Sequence, residues 1–261
     1  MVTKQDRPQG RGLKPKPNPA KTAAKKLGLE IKEIASKQEL ASLLQQKKYD
    51  LALVAGFSYI LPPSVLKSPK TGKPVLGLHP SLLPKYRGPA PIQFAILSGE
   101  KETGICLFEL TSKMDKGPVL KCKKVKIRNS DTYLSLEEKL SVLGAKLASQ
   151  IIPLYLQNKI KAKPQRGKPS YSRLLKKEDG KIDWQKMSPE EIFRRFRAFY
   201  PWPGVYFEIQ GKKVKITELK LNKGRLLIKK VIPEGKKEMG FAEFLRGYPF
   251  PLDLRDKIIY P

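Results

Sequence analysis

Apolar residues along this chain recur in two alternating rhythms, short runs or a period of two, and a helical spacing of three and four. The run Asp50-Leu-Ala-Leu-Val-Ala-Gly56 predicts a buried parallel strand, and Pro74-Val-Leu-Gly-Leu-His79 a second one. Residues 29–34 alternate as a short strand, as do 103–110 and 118–127. Between them, residues 19–27, 37–46 and 91–98 carry helical spacing, and Leu61-Pro-Pro-Ser-Val-Leu66 starts another helix with proline suited to its first turn. A long helix follows, capped by Asp131 or Ser135, with Leu136, Leu140, Leu143, Leu147, Ile151 and Leu154 as its apolar stripe. Repeated strand–helix alternation argues for an α/β fold, an open sheet with helices on both faces.

The rhythm changes after this helix. Residues 159–179 are polar, basic and broken by Pro and Gly, which reads as a connector. Ser188-Pro-Glu-Glu191 caps a helix reaching about Phe199. After Pro201-Trp-Pro-Gly204, residues 205–209, 213–219 and 225–231 alternate as strands of a small β-barrel or sheet. At the other end, the first twenty residues are rich in Pro, Gly, Lys and Arg and predict an extended or mobile loop. The division expected is an α/β domain over 1–160, a linker and connecting helix over 161–200, and a β-rich domain over 201–261.

Composition narrows the class. The 53 Lys and Arg against 24 Asp and Glu give a net charge of +29, which favours an anionic partner such as a polyphosphate backbone. A lysine-rich proteome with uniformly basic surfaces is the competing explanation, since the lysines run along the whole chain. No stretch approaches the roughly 18–20 apolar residues of a membrane span, and the N-terminus lacks the apolar core of a secretory signal. Cys106 and Cys122 are too few for a disulfide framework and read as buried thiols in a reduced, cytoplasmic setting.

The segment richest in chemistry is Gly77-Leu-His-Pro-Ser-Leu-Leu-Pro-Lys-Tyr-Arg-Gly-Pro-Ala-Pro-Ile-Gln93. It sets the chain's single histidine, His79, at the C-terminal end of a strand, where open α/β sheets place ligands. Lys113-Met-Asp-Lys-Gly-Pro-Val119 places Asp115 in a turn between two strands, where a carboxylate can orient and charge-stabilise an imidazole. Taken singly, a lone histidine is more often a packed residue, and an aspartate in a turn more often an Asx-turn former.

Together these two segments resemble the folate-dependent formyltransferases. Gln5-Asp-Arg-Pro-Gln-Gly-Arg-Gly12, Pro17-Asn-Pro19, Ile182-Asp-Trp184, Arg197-Ala-Phe-Tyr-Pro-Trp-Pro203 and Lys236-Lys-Glu-Met239 narrow the resemblance to the methionyl-tRNA formyltransferase family, in consistent order over nearly the whole chain. The resemblance implies a Rossmann-like open-sheet domain followed by a small, OB-like C-terminal β-barrel. It implies formyl transfer from 10-formyltetrahydrofolate, as co-substrate, to the α-amine of methionyl initiator tRNA, for translation initiation. His79 is then expected to stabilise the oxyanion or shuttle the proton, with Asp115 holding and polarising it. Phe57, Ser58, Tyr59, Ile60 and Leu61, with Ser81, Leu82, Leu83 and Pro84, match the folate-lining stretches; an ordinary strand-to-helix turn is the other reading of residues 57–61. Arg11, Lys14 and Lys16 match the loop that reaches the tRNA, or else form a basic tail. No Cys/His cluster exists to ligate a metal, so none is expected, nor is a membrane partner; a monomer is expected.

Two departures from the family pattern stand out. Gly77 occupies the position of the motif asparagine, whose amide would serve the developing oxyanion. A first βα unit of roughly 30 residues, which the family places ahead of the basic loop, is not in the sequence as given, since Met1 falls almost directly at that loop; either the start is not the authentic one or the protein is shortened with an exposed sheet edge. These departures keep two other readings open: an RNA-binding relative that has lost activity, and a formyltransferase acting on a small amine.

Overall fold

The computed structural model describes residues 1–9, 14–46, 49–57, 61–67, 70–248 and 256–259. They fall into two compact units, one of Met1–Leu76 with Leu110–Lys113, the other of Gly77–Glu109 with Met114–Pro261.

In the first unit, β1 (Val2–Lys4) pairs in parallel with β4 (Lys32–Ile34), Val2 opposite Lys32. The expected N-terminal loop is instead partly a hairpin, β2 (Arg7–Gln9) antiparallel to β3 (Lys14–Lys16). Pro8 and Pro15 lie opposite each other in it, a pairing open to edge strands that need not donate at those positions. The hairpin leads into α1 (Pro19–Lys26), whose N-cap Asn18 accepts from the Lys21 amide at 2.9 Å. The Asn18 amide also donates to Thr3 Oγ1 at 2.9 Å and to the Lys4 carbonyl at 3.2 Å, which ties the base of the hairpin to β1. Lys21 is buried yet satisfied, with Asp6 at 2.9 Å and Glu33 at 2.6 Å.

Helix α2 (Lys37–Gln46) matches its expected span, and Leu40 on it joins Ile34, Leu61, Val65 and Val75 in the unit's apolar cluster. Two expectations fail here. The strand at 50–56 shortens to β5 (Leu53–Ala55), and Leu53 is 41% exposed, because Val54 is the residue that packs on the cluster. The helix expected from Leu61 is a single 3-10 turn, Pro63–Val65, ended where the Leu66 carbonyl is taken by the Val75 amide at 2.9 Å.

The open sheet has the order β5-β6-β7-β8, formed with β6 (Leu76–His79), β7 (Glu102–Glu109) and β8 (Val119–Lys126). Helix α3 (Pro91–Leu97) separates β6 from β7 in sequence, and β8 runs antiparallel to β7. Cys106 and Cys122 face each other directly in that register and form a disulfide, so the two-thiol expectation is corrected. Their 16-residue separation gives no hint of it; the strand register does.

Helix α4 (Tyr133–Leu156) starts at Thr132, not at Asp131 or Ser135, with Thr132 and Ser135 forming a reciprocal capping box. Asp131 instead accepts from the Arg128 amide at 2.8 Å and pairs with Lys139. Leu136, Leu140 and Leu147 are buried as expected, each worth roughly 1.5–3 kcal/mol. Leu154 faces outward and Tyr155 takes the inner place, its hydroxyl donating to Glu109 at 2.7 Å. Gly144 permits the close approach, since a Cβ there would lie 2.6 Å from Ile105 Cδ1.

Helix α5 (Pro189–Phe199) carries the expected Ser188–Glu191 capping box. It is fastened to the sheet-bearing part of the same unit by Arg194 Nε donating to the Leu97 carbonyl at 3.1 Å and Arg197 donating to the Asp131 carbonyl at 2.9 Å. The C-terminal sheet is antiparallel, ordered β12-β11-β10-β9, with β9 (Val205–Ile209), β10 (Lys212–Asn222), β11 (Arg225–Pro233) and β12 (Met239–Gly240). Phe207 packs edge-on against Phe244 of α6 (Phe241–Gly247), with ring centroids 6.1 Å apart, closing this core. Among the described residues no helix is long and apolar enough to cross a membrane.

Candidate active site

His79 ends β6 and is 6% exposed, its ring edge-on to Phe108 at 6.4 Å. Strand alternation puts Gly77 on the same face as His79, and Gly77 is buried. The chain then folds back on itself. The Ser81 hydroxyl donates to the Lys85 carbonyl at 2.5 Å, the Leu83–Pro84 bond is cis, and Tyr86 adopts φ 54. This turn delivers the Tyr86 carbonyl to His79 Nε2 at 2.9 Å. A carbonyl can only accept, so Nε2 bears the proton and the lone pair of the neutral ring lies at Nδ1.

Asp115 approaches from the other side, with Oδ2 3.7 Å from His79 Nδ1. That exceeds a hydrogen bond but suits an ion pair once Nδ1 is protonated. The carboxylate is held by the Gly88 amide, which donates to Oδ2 at 2.7 Å. Asp115 itself has φ 51, a left-handed conformation uncommon outside glycine. Burial lowers the His79 pKa from its ordinary 6.5, while the Asp115 charge and the Tyr86 carbonyl oppose that shift. The imidazole is therefore neutral near pH 7. Orientation of the ring belongs to the Tyr86 carbonyl, and Asp115 supplies charge.

Of the other residues picked from sequence, Ser81 is fully buried with its hydroxyl engaged inside the loop, and Leu82 packs over Gly104 of β7. Leu83 is half-buried and Pro84 buried. Phe57 and Leu61 belong to the first unit, where Phe57 packs on the cluster containing Leu61. Ser58, Tyr59, Ile60 and Arg11 lie outside the described residues. Lys14 and Lys16 lie on β3, and Lys16 is exposed. Among the described residues no group of three or more His, Cys, Asp or Glu side chains could hold a metal ion.

Sequence reading missed the groups that fasten the His79 loop. The Ser170 hydroxyl accepts from the Tyr86 amide at 2.9 Å, and the Ser172 hydroxyl accepts from the Ala90 amide at 3.1 Å. Arg87 exchanges backbone bonds with the same segment, its amide to the Ser170 carbonyl at 2.9 Å and its carbonyl from the Ser172 amide at 2.7 Å. Gly88 has φ 113, and a Cβ there would lie 2.4 Å from the Ser172 carbonyl oxygen. The one signal for this was the glycine in Arg87-Gly-Pro; the polar stretch that meets it carries no periodicity.

Comparison with known proteins places this chain in a family. The Formyl transferase model matches residues 1–152, and the Formyl transferase C-terminal domain model matches residues 174–225. The methionyl-tRNA formyltransferase of Thermus thermophilus is 35% identical over 272 residues, covering 95% of this chain and 88% of that protein. That of Thermodesulfovibrio yellowstonii is 36% identical over 270 residues, covering 95% and 87%. Among solved structures, methionyl-tRNA formyltransferase from Clostridium thermocellum superposes with a TM-score of 0.62 at 16% identity, covering 89% of this chain and 96% of that one. HypX from Aquifex aeolicus, solved with tetrahydrofolic acid, gives a TM-score of 0.66 at 17% identity over 100% of this chain, which spans 48% of HypX. Identity at this level over nearly the full length, with both domain models matched in order, makes the chain a member of the methionyl-tRNA formyltransferase family.

Proposed function

We propose that this protein transfers a formyl group from 10-formyltetrahydrofolate to the α-amine of methionyl initiator tRNA, acting as a cytoplasmic monomer. The observation that carries the chemistry is a buried, neutral His79 whose Nε2–H is committed to the Tyr86 carbonyl while Nδ1 faces Asp115. The folate supplies the formyl carbon. As the amine nitrogen bonds to that carbon, Nδ1 of His79 takes one amine proton, and the Asp115 carboxylate offsets the imidazolium charge. When the bond between the formyl carbon and the folate nitrogen breaks, Nδ1 returns the proton to that nitrogen. Protons balance and no metal is required.

Residues 1–160 then serve as the catalytic part and 201–261 as a tRNA-binding part, joined through 161–200. Leu82, Leu83 and Pro84, in the loop that follows the His79 strand, are the apolar residues assigned to the folate. By family resemblance Phe57, Ser58, Tyr59, Ile60 and Leu61 are assigned to folate as well, and Arg11, Lys14 and Lys16 to phosphates or bases of the acceptor end. The net charge of +29 suits that partner better than it suits a small amine.

The test is formyl transfer to methionyl initiator tRNA by the purified chain and by His79→Ala. The expected result is turnover that falls about 10³-fold in the variant, with tRNA affinity unchanged by filter binding. Tight, salt-sensitive tRNA binding without turnover in the unaltered chain would replace this reading with that of an RNA-binding relative.

A further inference from the structure

We infer that Gln165 is a positioning residue for the transfer reaction, locking the Asp115 turn to the His79 loop through its side-chain amide; this rests on the roles proposed above for His79 and Asp115. Gln165 lies in the polar stretch after α4, which the sequence presents as a connector. The stretch is anchored at its start by reciprocal backbone bonds, at 2.7 and 2.9 Å, between Lys163 and Val119, the first residue of β8. Its later residues, Ser170 to Ser172, run alongside Arg87 as a parallel bridge pairing Arg87 with Tyr171.

Between these anchors the Gln165 amide uses its hydrogen-bonding capacity on two different segments. Its Nε2 donates to the Asp115 carbonyl and to the Gly117 carbonyl, each at 2.8 Å. Its Oε1 accepts from Arg87 at Nη2, 2.6 Å, and at Nε, 3.2 Å. Arg87 is buried and immediately precedes Gly88, whose amide holds the Asp115 carboxylate. Asp115 is thus gripped twice, by Gly88 through its side chain and by Gln165 through its backbone. Both grips lead to the Arg87–Gly88 pair, one residue past the carbonyl that orients His79. The left-handed Asp115 needs such over-determination, because a non-glycine residue there costs of order 1–3 kcal/mol.

The chemistry of the amide makes the role specific. Glutamate has the same length and can still bind the Arg87 guanidinium, but it cannot donate to the two carbonyls. The polar stretch is therefore part of the active site rather than a tether, although it touches no reacting atom.

The experiment is steady-state formyl transfer by the full chain, by Gln165→Ala, by Gln165→Glu, by Asp115→Asn, and by the Gln165→Ala/Asp115→Asn double variant. Both Gln165 variants are expected to lose about 10–100-fold in kcat with KM for tRNA and folate within about twofold and the native fold retained by circular dichroism. In the Asp115→Asn background, Gln165→Ala should cost almost nothing further, because its effect passes through the Asp115 carboxylate. A Gln165→Glu enzyme with unaltered kcat would overturn the inference, since the donors would be dispensable. So would full additivity in the double variant, which marks a general loss of packing. Absence of turnover in the unaltered chain would remove the functional reading and this inference together, whereas normal turnover in Gln165→Ala would remove this inference alone.

Discussion

The His79 loop and the N-terminal hairpin are both short, proline-rich segments, yet they are built on opposite plans. Around the loop, backbone groups of Tyr86, Arg87, Gly88 and Ala90 are each bonded to a residue distant in sequence, and His79, Tyr86 and Arg87 are buried. The hairpin pairs two three-residue strands, and Asn18 fastens it at its base to Thr3 and Lys4. Its described arm ends in an exposed lysine, Lys16. The first plan fixes donor and charge positions before substrate arrives, as proton transfer requires. The second anchors a root, and in the proposed function it would serve capture of a large polyanion, which rests on charge more than on fixed geometry.

If that contrast is right, a single methyl group should damage the loop more than loss of a whole cation damages the hairpin. Gly88→Ala forces a Cβ against the Ser172 carbonyl at a φ of 113. We expect kcat to fall about 10²-fold and stability by roughly 1–3 kcal/mol, read by single-turnover assay and thermal unfolding. A fully active Gly88→Ala enzyme would show that the loop is not held as described.

Lys16→Ala, at the exposed cation of β3, should act on binding instead. The expected change is a rise in KM for tRNA of about tenfold, near 1.4 kcal/mol, with kcat within about twofold. The slope of log KM against log salt should shrink by about 1. Loss of kcat in place of KM would mean that the hairpin takes part in positioning and that the two plans are not separate.

The smallest effect is a shift in pH dependence. With neutral His79 as the proposed base, activity should be present above its pKa and lost as pH falls through it. Burial sets that pKa below the ordinary 6.5, which places the acid limb of kcat below 6.5. Asp115 raises the pKa of His79, so Asp115→Asn should move the limb lower still, by up to about one unit, worth 1.36 kcal/mol. A limb that moved upward would identify some other group as the source of the charge.

Element types were largely legible because periodicity reports which side of a segment meets a core. Helix α2 and strand β9 match their expected bounds, and β7, β8, α3 and α5 fall within a residue or two. Burial was less legible. The runs before Gly56 and before His79 read alike, yet Leu53 on β5 is exposed while Leu76 on β6 is fully buried. A strand's neighbours decide this, and its own composition does not.

His79 and Asp115 were visible as candidates because a strand end, a rigid loop and a turn each leave a local signature, and the family resemblance joined them. Their division of labour was not visible. The Tyr86 carbonyl is a backbone group that every residue possesses, so nothing in the sequence marks it as the orienter of the imidazole. Gln165, Ser170 and Ser172 act from about 80 residues beyond the loop they hold, through bonds that follow no period. The Cys106–Cys122 disulfide likewise follows from strand register alone.

The sequence by itself determined the family, most of the strands and helices, the excess positive charge and the candidacy of His79 and Asp115. Each is a property of local residue order or of composition. Only the tertiary structure decided which nitrogen of His79 is left to take a proton, how Asp115 is held beside it, and that the polar stretch after α4 bonds to the segments carrying both. Those depend on distances between atoms remote along the chain, which packing sets and local order does not encode.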